Sequence, residues 1–413
     1  MAQPIPTHAA IVIVGGGIIG CAIAYHLTKR GHRDVVLLEK SRITYGSTWH
    51  AAGNIGQLRS SRALTKIVTM SVEQFRSLER ETGVSPDWRE VGSLRIASSE
   101  ERWRELEGAA AGARGFGFEV ELVTPEECKR LYPYISLEGV VGGAFTPSDG
   151  YVQPSGVTEA FAKGAREGAA RILEGVRVTG FERTGRRILK ILTDQGAIRC
   201  DLVINAAGMW AREVGAMAGV AVPVAAFENQ YLITEPIPDL PRDLPVIRDN
   251  DNYFYARPEV GGLLVGTVDK ENPPFGRGGI PPDFERQLLP EDLERFEPAL
   301  GRITRRLPIL SELGVRDVVN GPLPMSVDGE PIVGFALDNF FLACGFVAGI
   351  GQAGGAGAVI AEWLTEGRPP FDLSALDCRR FSSSAYSEDE LYAAAERALA
   401  HHYDIHDPDD EPR

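Results

Sequence analysis

The sequence predicts an α/β fold in which a domain with a Rossmann-like parallel sheet is interleaved with an α+β domain built on a mostly antiparallel sheet. The first domain is predicted by an apolar strand that runs into a glycine-rich turn and a helix, followed by a second apolar strand that ends in an acid. The second domain is predicted by strands of alternating character over residues 227–267, joined in part by a Gly-Gly hairpin turn.

The N-terminal strand and turn form a dinucleotide-binding pattern. Residues 11–14 predict a buried parallel strand, and Gly15-Gly16-Gly17-Ile18-Ile19-Gly20 follows it and opens a helix. Gly15 permits the tight turn, Gly17 lets a pyrophosphate approach the backbone, and Gly20 lets the helix pack closely against the strand. The helix N-terminus around Ile18 and Ile19 offers unpaired N–H groups and the positive end of the helix dipole to the phosphates.

The second strand ends in Glu39, which is followed by Lys40. A carboxylate at this position can accept hydrogen bonds from both ribose hydroxyls of an adenosine and would repel a 2′-phosphate. Glu39 and Lys40 are therefore predicted to bind the cofactor. The pattern predicts a dinucleotide but does not separate FAD from NAD.

The loop from Gly46 to Gly53 makes that distinction. Its sequence, Gly-Ser-Thr-Trp-His-Ala-Ala-Gly, resembles residue for residue the loop on which dimethylglycine and sarcosine dehydrogenases carry FAD covalently through a histidine. The resemblance implies FAD as cofactor and His50 as its attachment point, whereas from the residues alone His50 is interpreted as a loop histidine hydrogen-bonded to backbone. The cofactor-binding residues implied in this loop are Gly46, Ser47, Thr48, Trp49, His50, Ala51 and Gly53.

Three later segments extend the resemblance. The strand and turn over 201–211 contain Asn-Ala-Ala-Gly-Met-Trp-Ala, whose small residues let the backbone touch a cofactor. The glycine-dense turn over 343–357 leads into a helix whose N-terminus would stabilise negative charge on reduced flavin, or whose glycines pack closely on the sheet. Val176 is implied to contact adenine through its backbone, and is equally an ordinary strand residue. The cofactor contacts implied here are Val176, Ala207, Gly208, Trp210, Gly349, Ile350, Gly351 and Gln352.

Aromatic and basic residues in the second domain suggest a substrate site. Alternation over 252–257 predicts that Tyr253, Tyr255 and Arg257 share one face of a strand, where the guanidinium could bind a carboxylate in bidentate fashion. The alternative is a half-exposed tyrosine–arginine ladder. Tyr231 lies in the preceding strand, two residues after Asn229, where the related dehydrogenases usually have histidine. The predicted catalytic residues are His50, Tyr231, Tyr255 and Arg257.

Composition excludes several functional classes. The chain has 413 residues, a net charge of −14 and a pI of about 5.1, which argues against binding to nucleic acid or to an anionic membrane surface. No segment predicts a membrane span or a signal peptide, and five scattered cysteines without a CxxC fit a reduced cytoplasmic protein. Between residues 33 and 400 the only histidine is His50, which disfavours a Ser-His-Asp hydrolase and a multi-histidine metal site. No metal is predicted.

The predicted domains are discontinuous. The FAD-binding domain comprises 1–85, 145–225 and 315–380, the substrate domain comprises 86–144 and 226–314, and a polar C-terminal tail covers 381–413. In the longer dehydrogenases that the chain resembles, a tetrahydrofolate-binding half begins about where this chain stops, so we expect that half to be lacking here.

The resemblance implies FAD-dependent oxidation of a secondary or tertiary amine that bears a carboxylate, such as sarcosine, dimethylglycine or a longer N-methylamino acid. Hydride passes to flavin N5 and the resulting iminium hydrolyses, which removes an N-methyl group. Oxygen or an electron-transfer protein would accept the electrons. Two alternatives remain open: an oxidase of D-amino or imino acids, and a flavin-bearing subunit of a hetero-oligomer that is inactive without its partner.

Overall fold

The structure is a computed structural model that describes residues 4–59, 61–267, 271–381 and 386–401. Residues 382–385 and 402–413 of the predicted polar tail lie outside the described residues. In the described ranges no helix is long and apolar enough to cross a membrane. All five cysteines lie in these ranges, are buried and form no disulfide.

The chain alternates between helices and strands from end to end. The helices are α1 Ile18–Lys29, α2 Arg62–Thr82, α3 Glu100–Ala113, α4 Pro125–Leu131, α5 Pro154–Glu167, α6 Ala211–Met217, α7 Leu293–Arg306, α8 Gly349–Glu366 and α9 Glu388–Ala400. The strands are β1 His8–Val14, β2 Val35–Glu39, β3 Asn54–Ile55, β4 Ser93–Ala97, β5 Glu121–Val123, β6 Gly142–Thr146, β7 Gly150–Tyr151, β8 Arg171–Glu174, β9 Val178–Thr184, β10 Arg187–Thr193, β11 Gly196–Asn205, β12 Val224–Thr234, β13 Val246–Asp249, β14 Phe254–Glu259, β15 Gly262–Thr267, β16 Pro274–Phe275, β17 Val315–Ser326, β18 Ile332–Leu337 and β19 Phe340–Cys344.

The first sheet confirms the Rossmann-like prediction. Its strands follow the order β18-β19-β11-β1-β2-β8, and the five from β19 to β8 run parallel. Because parallel strands are buried on both faces, β1 and β2 are almost continuously apolar. Helices α1, α2, α5 and α8 pack in the core on one face, and the ribbon β9–β10 belongs to the core on the other.

The second sheet confirms the mostly antiparallel prediction. Its order is β16-β12-β15-β14-β13-β4-β6-β5, and β17 is also paired to β12. Among the described strand pairs of this second sheet, only β13–β4 is parallel. Apolar residues of β4, β12 to β15 and α7 form its core.

Strand pairing adds detail to the predicted domains, whose boundaries stay a prediction. Strand β17, at the start of the predicted 315–380 segment, pairs along its length with β12 in the second sheet. Strand β14 begins at Phe254, so Tyr253 lies in the preceding turn with φ of +56° and does not share a strand face with Tyr255. A turn was not anticipated there because the alternation of residue types continues through Tyr253.

The imidazole of His26 is buried where α1 meets its neighbours. It is 8% exposed, its Nε2 has no hydrogen-bond partner in the described part of the chain, and its ring lies 5.0 Å from that of Tyr25. Burial, reinforced by the charge of Lys29, lowers the pKa of His26 to about 3.

We expect His26 to make the fold sensitive to acid. Between pH 6.5 and about 3 the unfolded chain binds a proton that the folded chain does not, so the free energy of unfolding falls as the pH falls. At about pH 5 the loss is about 2 kcal/mol. Denaturant unfolding at pH 7 and pH 5 should therefore show a loss about 2 kcal/mol smaller for His26→Gln than for the wild type. Equal losses in the two proteins would contradict this assignment.

Candidate active site

The glycine turn brings the end of β1, the start of α1 and strand β11 into close contact. Gly15 has φ of +113°, and a Cβ there would lie 2.4 Å from the carbonyl oxygen of Ala206. A Cβ on Gly20 would lie 2.0 Å from the carbonyl oxygen of Gly15. The first turn of α1 carries no acidic residue. The positive end of its dipole is therefore available to an anion beside Gly17, as the sequence predicted.

Glu39 closes one side of this turn. Its carboxylate accepts hydrogen bonds from the backbone N–H groups of Gly16 at 2.7 Å and Ser41 at 2.8 Å. Burial raises the pKa of Glu39, and these two donors oppose that shift. A carboxylate has about four acceptor positions, so those not used by the backbone can take ribose hydroxyls.

A cavity of about 310 Å³ extends from the glycine turn. Its size is at the lower end of the range for sites that bind small molecules and cofactors. It brings together sixteen residues that the sequence predicted as cofactor-binding, from segments far apart in the chain. They are Gly15, Gly17, Ile18, Ile19, Glu39, Lys40, Gly46, Ser47, Thr48, Ala51, Val176, Ala207, Gly208, Trp210, Gly349 and Ile350.

Two of these residues have contacts that constrain their role. The backbone N–H of Val176 donates to the carbonyl of Glu39, so a backbone hydrogen bond from Val176 to a ligand would use its carbonyl oxygen. The ammonium of Lys40 lies 3.8 Å from the centroid of the Trp210 ring and donates to the carbonyls of Pro282 and Phe284. Burial lowers the pKa of Lys40 to about 8. Lys40 thus joins the cavity wall to the loop over 280–285.

The loop from Gly46 to Gly53 is fixed at both the helix and the second sheet. Thr48 Oγ1 accepts a hydrogen bond from the N–H of Ile18 at 3.2 Å and so caps α1 from a distant part of the chain. Ser47 Oγ donates to the carbonyl of Pro322, in β17, at 2.7 Å. These contacts hold the loop between the two sheets.

His50 lies half-buried at the inner side of this loop. Its ring packs edge-on against Trp49 at 5.6 Å and against Gly321, where a Cβ would lie 2.5 Å from His50 Cε1. Its Nε2 is buried without a hydrogen-bond partner among the described residues. Burial lowers the pKa of His50 to about 4, and a hydrogen bond with its own backbone opposes this shift. At neutral pH the imidazole is therefore uncharged.

A second cavity, of about 170 Å³, adjoins the first. His50, Tyr231 and Tyr255 line it, as do the predicted cofactor residues Gly53 and Gly351. The Tyr255 ring lies against Gly266, where a Cβ would be 2.1 Å from its Cζ. The structure therefore brings together three of the four residues that the sequence predicted as catalytic.

Arg257 is the fourth, and it does not line this cavity. It is 5% exposed, donates from Nε to the carbonyl of Ala52 at 2.9 Å, and forms an ion pair with Glu259. Its guanidinium also lies 4.7 Å from the centroid of the Tyr151 ring. The Arg257 guanidinium is therefore bound to other groups of the protein. Among the predicted cofactor residues, Gly20, Trp49 and Gln352 line neither cavity.

Helix α8 has its N-terminus at the two cavities and packs closely through its later glycines. Gly349 and Ile350, at its N-terminus, line both cavities. Further along, a Cβ at Gly355 would lie 1.9 Å from the carbonyl oxygen of Ile67, and Gly355 N–H donates to Ser71 Oγ at 2.8 Å. The first glycines thus face the site, and the later ones allow close packing of helices.

The residues present fit the FAD that the loop resemblance implies. The glycine turn suits a pyrophosphate, Glu39 suits a ribose, and the start of α8 provides a second helix N-terminus. Buried polar atoms without a partner in the described ranges include His50 Nε2 and Asn54 Oδ1, and both residues line the smaller cavity. Such atoms indicate a polar ligand beside them.

The residues that line the smaller cavity and that sequence reasoning missed include Asn54, Arg59, Arg248 and Gly321. A signal existed for Arg248, which follows Val246 and Ile247 in a short apolar strand. An arginine within a buried strand is costly unless it has a partner, which makes it a candidate ligand-binding residue.

Comparison with known proteins agrees with this site. A family described as FAD dependent oxidoreductase matches residues 10–363, and one described as FAD dependent oxidoreductase central domain matches residues 366–413. The mitochondrial dimethylglycine dehydrogenase of Rattus norvegicus is 36% identical over 394 residues, which is 92% of this chain and 46% of that protein. The 4-methylaminobutanoate oxidase (formaldehyde-forming) of Paenarthrobacter nicotinovorans is 37% identical over 409 residues, 98% of this chain and 50% of that protein.

The chain thus spans about half the length of these curated relatives. Among solved structures, L-proline dehydrogenase from P. horikoshii matches with a TM-score of 0.81 and 28% identity, over 93% of this chain and 100% of that chain. These matches confirm the resemblance inferred from the loop around His50. The chain belongs to the FAD dependent oxidoreductase family.

Proposed function

We propose that the protein oxidises a small secondary or tertiary amine that bears a carboxylate, and so removes an N-methyl group. The observation that carries the proposal is the junction of the two cavities: the FAD cavity and the smaller one share Ser47, Ala51, Leu323, Val347, Gly349 and Ile350. A small molecule in the second cavity would therefore lie beside the cofactor. The activities named for two relatives, dimethylglycine dehydrogenase and 4-methylaminobutanoate oxidase, support this substrate class.

Bound FAD supplies the two-electron acceptor for hydride from a C–H bond next to the nitrogen. The electrostatics of the cavity favour the reactive, neutral form of the amine. Arg248 lines it without an ion-pair partner among the described residues, and no Asp or Glu of the described ranges lines it. This positive surrounding disfavours an ammonium ion and favours an amine with its lone pair free. Loss of hydride leaves an iminium ion, and addition of water then gives the demethylated amine, formaldehyde and a proton.

Neither His50 nor Tyr231 is suited to act as a base at neutral pH. The pKa of His50 is lowered to about 4 by burial, and burial raises the pKa of Tyr231 to about 12. The Tyr231 phenol therefore keeps its proton and can act as a hydrogen-bond donor to the substrate. We propose that Tyr231 and Tyr255 place the amine, since both line the cavity.

The test of this function is an anaerobic titration of the purified protein with sarcosine, dimethylglycine, 4-methylaminobutanoate, proline and D-alanine, followed by the visible flavin spectrum. Bleaching by an N-methylated amino acid, with formaldehyde released in a stoichiometric amount, supports the proposal. Bleaching by none of the five amines would overturn it. Size exclusion of natively purified material then shows whether the protein requires a partner subunit. Readmission of air distinguishes oxygen from an electron-transfer protein as the acceptor in the proposed cytoplasmic setting.

Oxidation of imino acids is the second candidate. It is favoured by the likeness to L-proline dehydrogenase, which spans 93% of this chain. The same titration separates the two candidates, because proline would bleach the flavin without release of formaldehyde.

We also propose that FAD is bound covalently through His50. The support is its uncharged imidazole and the unpartnered, buried Nε2 beside the cavity junction. Acid precipitation tests the bond directly: a yellow pellet indicates covalent flavin, and a colourless pellet with yellow supernatant contradicts it.

The position of the His50 ring gives a further prediction. A Cβ at Gly321 would lie 2.5 Å from His50 Cε1 and 2.8 Å from Nε2, so Gly321→Ala must displace the imidazole. We expect covalent attachment of FAD to slow roughly tenfold, as for a misfit of about 1.4 kcal/mol. The measurement is the rate at which acid-stable flavin accumulates when apoprotein is incubated with FAD.

Gly301→Ala is the matched control, because no atom lies within 4 Å of a Cβ at that position in α7. It should attach FAD at the wild-type rate. Equal rates for wild type and Gly321→Ala would show that the position of the ring does not limit attachment.

A further inference from the structure

Arg248 is a buried cation in the wall of the smaller cavity. It lies in the four-residue strand β13, between β4 and β14, and is 8% exposed. Its backbone pairs with Tyr255 on β14, and both side chains line the cavity. The position is therefore in the interior of the second sheet and beside the proposed substrate.

Within the described residues, Arg248 has no hydrogen-bond or ion-pair partner, and its Nε is buried without an acceptor. Two other buried arginines of this domain do have partners. Arg306 donates to Asp249 at 2.8 Å and to Ser98 at 2.9 Å, and Arg257 is paired with Glu259. Burying a guanidinium without a partner is strongly unfavourable, so the contrast indicates a partner that is not part of the protein.

The charges around Arg248 indicate the sign of that partner. No carboxylate of the described residues lines the cavity wall. The nearby carboxylate of Asp149 is fully buried and is occupied by hydrogen bonds from Ser93 Oγ and from the backbone and side chain of Gln57. No ion pair joins Asp149 to Arg248 in the described part of the chain. An anion fits this position best.

We infer that Arg248 binds the carboxylate of the substrate. The inference rests on the proposed function, which places a small amino acid in this cavity. A guanidinium presents parallel N–H donors that match the two oxygens of a carboxylate, so one bidentate contact would both neutralise Arg248 and orient the substrate. This inference gives Arg248 the carboxylate-binding role that the sequence pattern had suggested for Arg257.

The test compares N-methylglycine with N-methylaminoethanol, which carries an alcohol in place of the carboxylate. We expect wild-type kcat/KM to favour N-methylglycine roughly 100-fold. Arg248→Met should lose most of this preference, because N-methylglycine loses both the carboxylate contact and the positive charge beside its amine, whereas the alcohol loses only that charge and should slow much less. Arg248→Lys should recover part of the preference, because it restores the charge without the bidentate geometry.

Arg257→Met distinguishes the two arginines, and we expect it to retain the preference for the carboxylate. A second readout needs no turnover: acetate binding to the flavin-containing protein, followed by the change in visible flavin absorbance. We expect Arg248→Met to weaken acetate binding at least tenfold.

The outcomes separate this inference from the proposed function. If the wild type oxidises neither amine but Arg248→Met weakens acetate binding, the proposed function fails and the anion site stands. If Arg248→Met retains both the carboxylate preference and acetate binding, the inference is overturned even when the wild type oxidises N-methylglycine. If Arg248→Met does not fold, unchanged preference and unchanged acetate binding in Arg248→Lys would overturn it as well.

Discussion

Gly20→Ala should abolish retention of FAD and destabilise the fold. A Cβ at Gly20 would lie 2.0 Å from the carbonyl oxygen of Gly15, and a backbone atom cannot rotate away as the end of a side chain can. The start of α1 must therefore separate from the turn that holds the pyrophosphate. We expect a loss of about 1–3 kcal/mol of stability from overpacking and FAD binding at least about 100-fold weaker, the equivalent of 2.7 kcal/mol. Equilibrium dialysis of apoprotein against FAD, with and without Gly20→Ala in a His50→Ala background that forms no covalent bond, measures the first effect. Denaturant unfolding measures the second.

Gly112→Ala is the control for Gly20→Ala. It is the same substitution within a helix, α3, and a Cβ there would have no atom within 4 Å. Since glycine is less favourable than alanine inside a helix, this variant should be as stable as the wild type or more stable by about 0.5–1 kcal/mol. FAD binding of normal strength in Gly20→Ala would show that the turn tolerates the added atom and would refute the role assigned to this glycine.

The cofactor site could be predicted from the sequence because its parts are local. A run of some 30 residues contains the turn around Gly15, the start of α1 and the acid at Glu39. Each glycine of the turn is required because a side chain would clash with nearby protein atoms or with the pyrophosphate. The loop around His50 was identified because its sequence repeats that of a known loop. The hydrogen bond that holds this loop to α1 was not predictable, since Thr48, which accepts it, lies 30 residues from Ile18.

The substrate site was predicted less well because it depends on long-range pairing. Arg248 enters the cavity wall only because β13 pairs in parallel with β4, more than 150 residues earlier in the chain. From the sequence, Arg257 was the better candidate for binding a substrate carboxylate, since it follows two tyrosines at alternate positions. In the structure the alternation is interrupted at Tyr253, and Arg257 is paired with Glu259 two residues later. A periodicity argument gives the face of a strand but not which buried arginine lacks a partner.

His50→Ala should remove all covalent flavin and leave FAD bound only by non-covalent contacts. The glycine turn, Glu39 and the start of α8 contact the cofactor cavity independently of His50, so the protein should still be isolated yellow. After acid precipitation we expect a colourless pellet, whereas the wild-type pellet should stay yellow. We propose that the covalent bond also makes the flavin a stronger oxidant. We therefore expect reduction by substrate to slow on the order of tenfold in His50→Ala, or about 1.4 kcal/mol of activation free energy.

His26→Gln is the control for His50→Ala, because both histidines have a lowered pKa and a buried Nε2 without a partner among the described residues, but of the two only His50 lines one of the two cavities described above. If burial with a free Nε2 were sufficient for attachment, the acid-stable flavin would fall in both variants. We expect it to fall to zero in His50→Ala and to remain complete in His26→Gln, since attachment requires an imidazole in the cavity that adjoins the cofactor cavity. Acid-stable flavin that persists in His50→Ala would place the bond on another residue, and the neutral state of the His50 imidazole would then need a structural explanation.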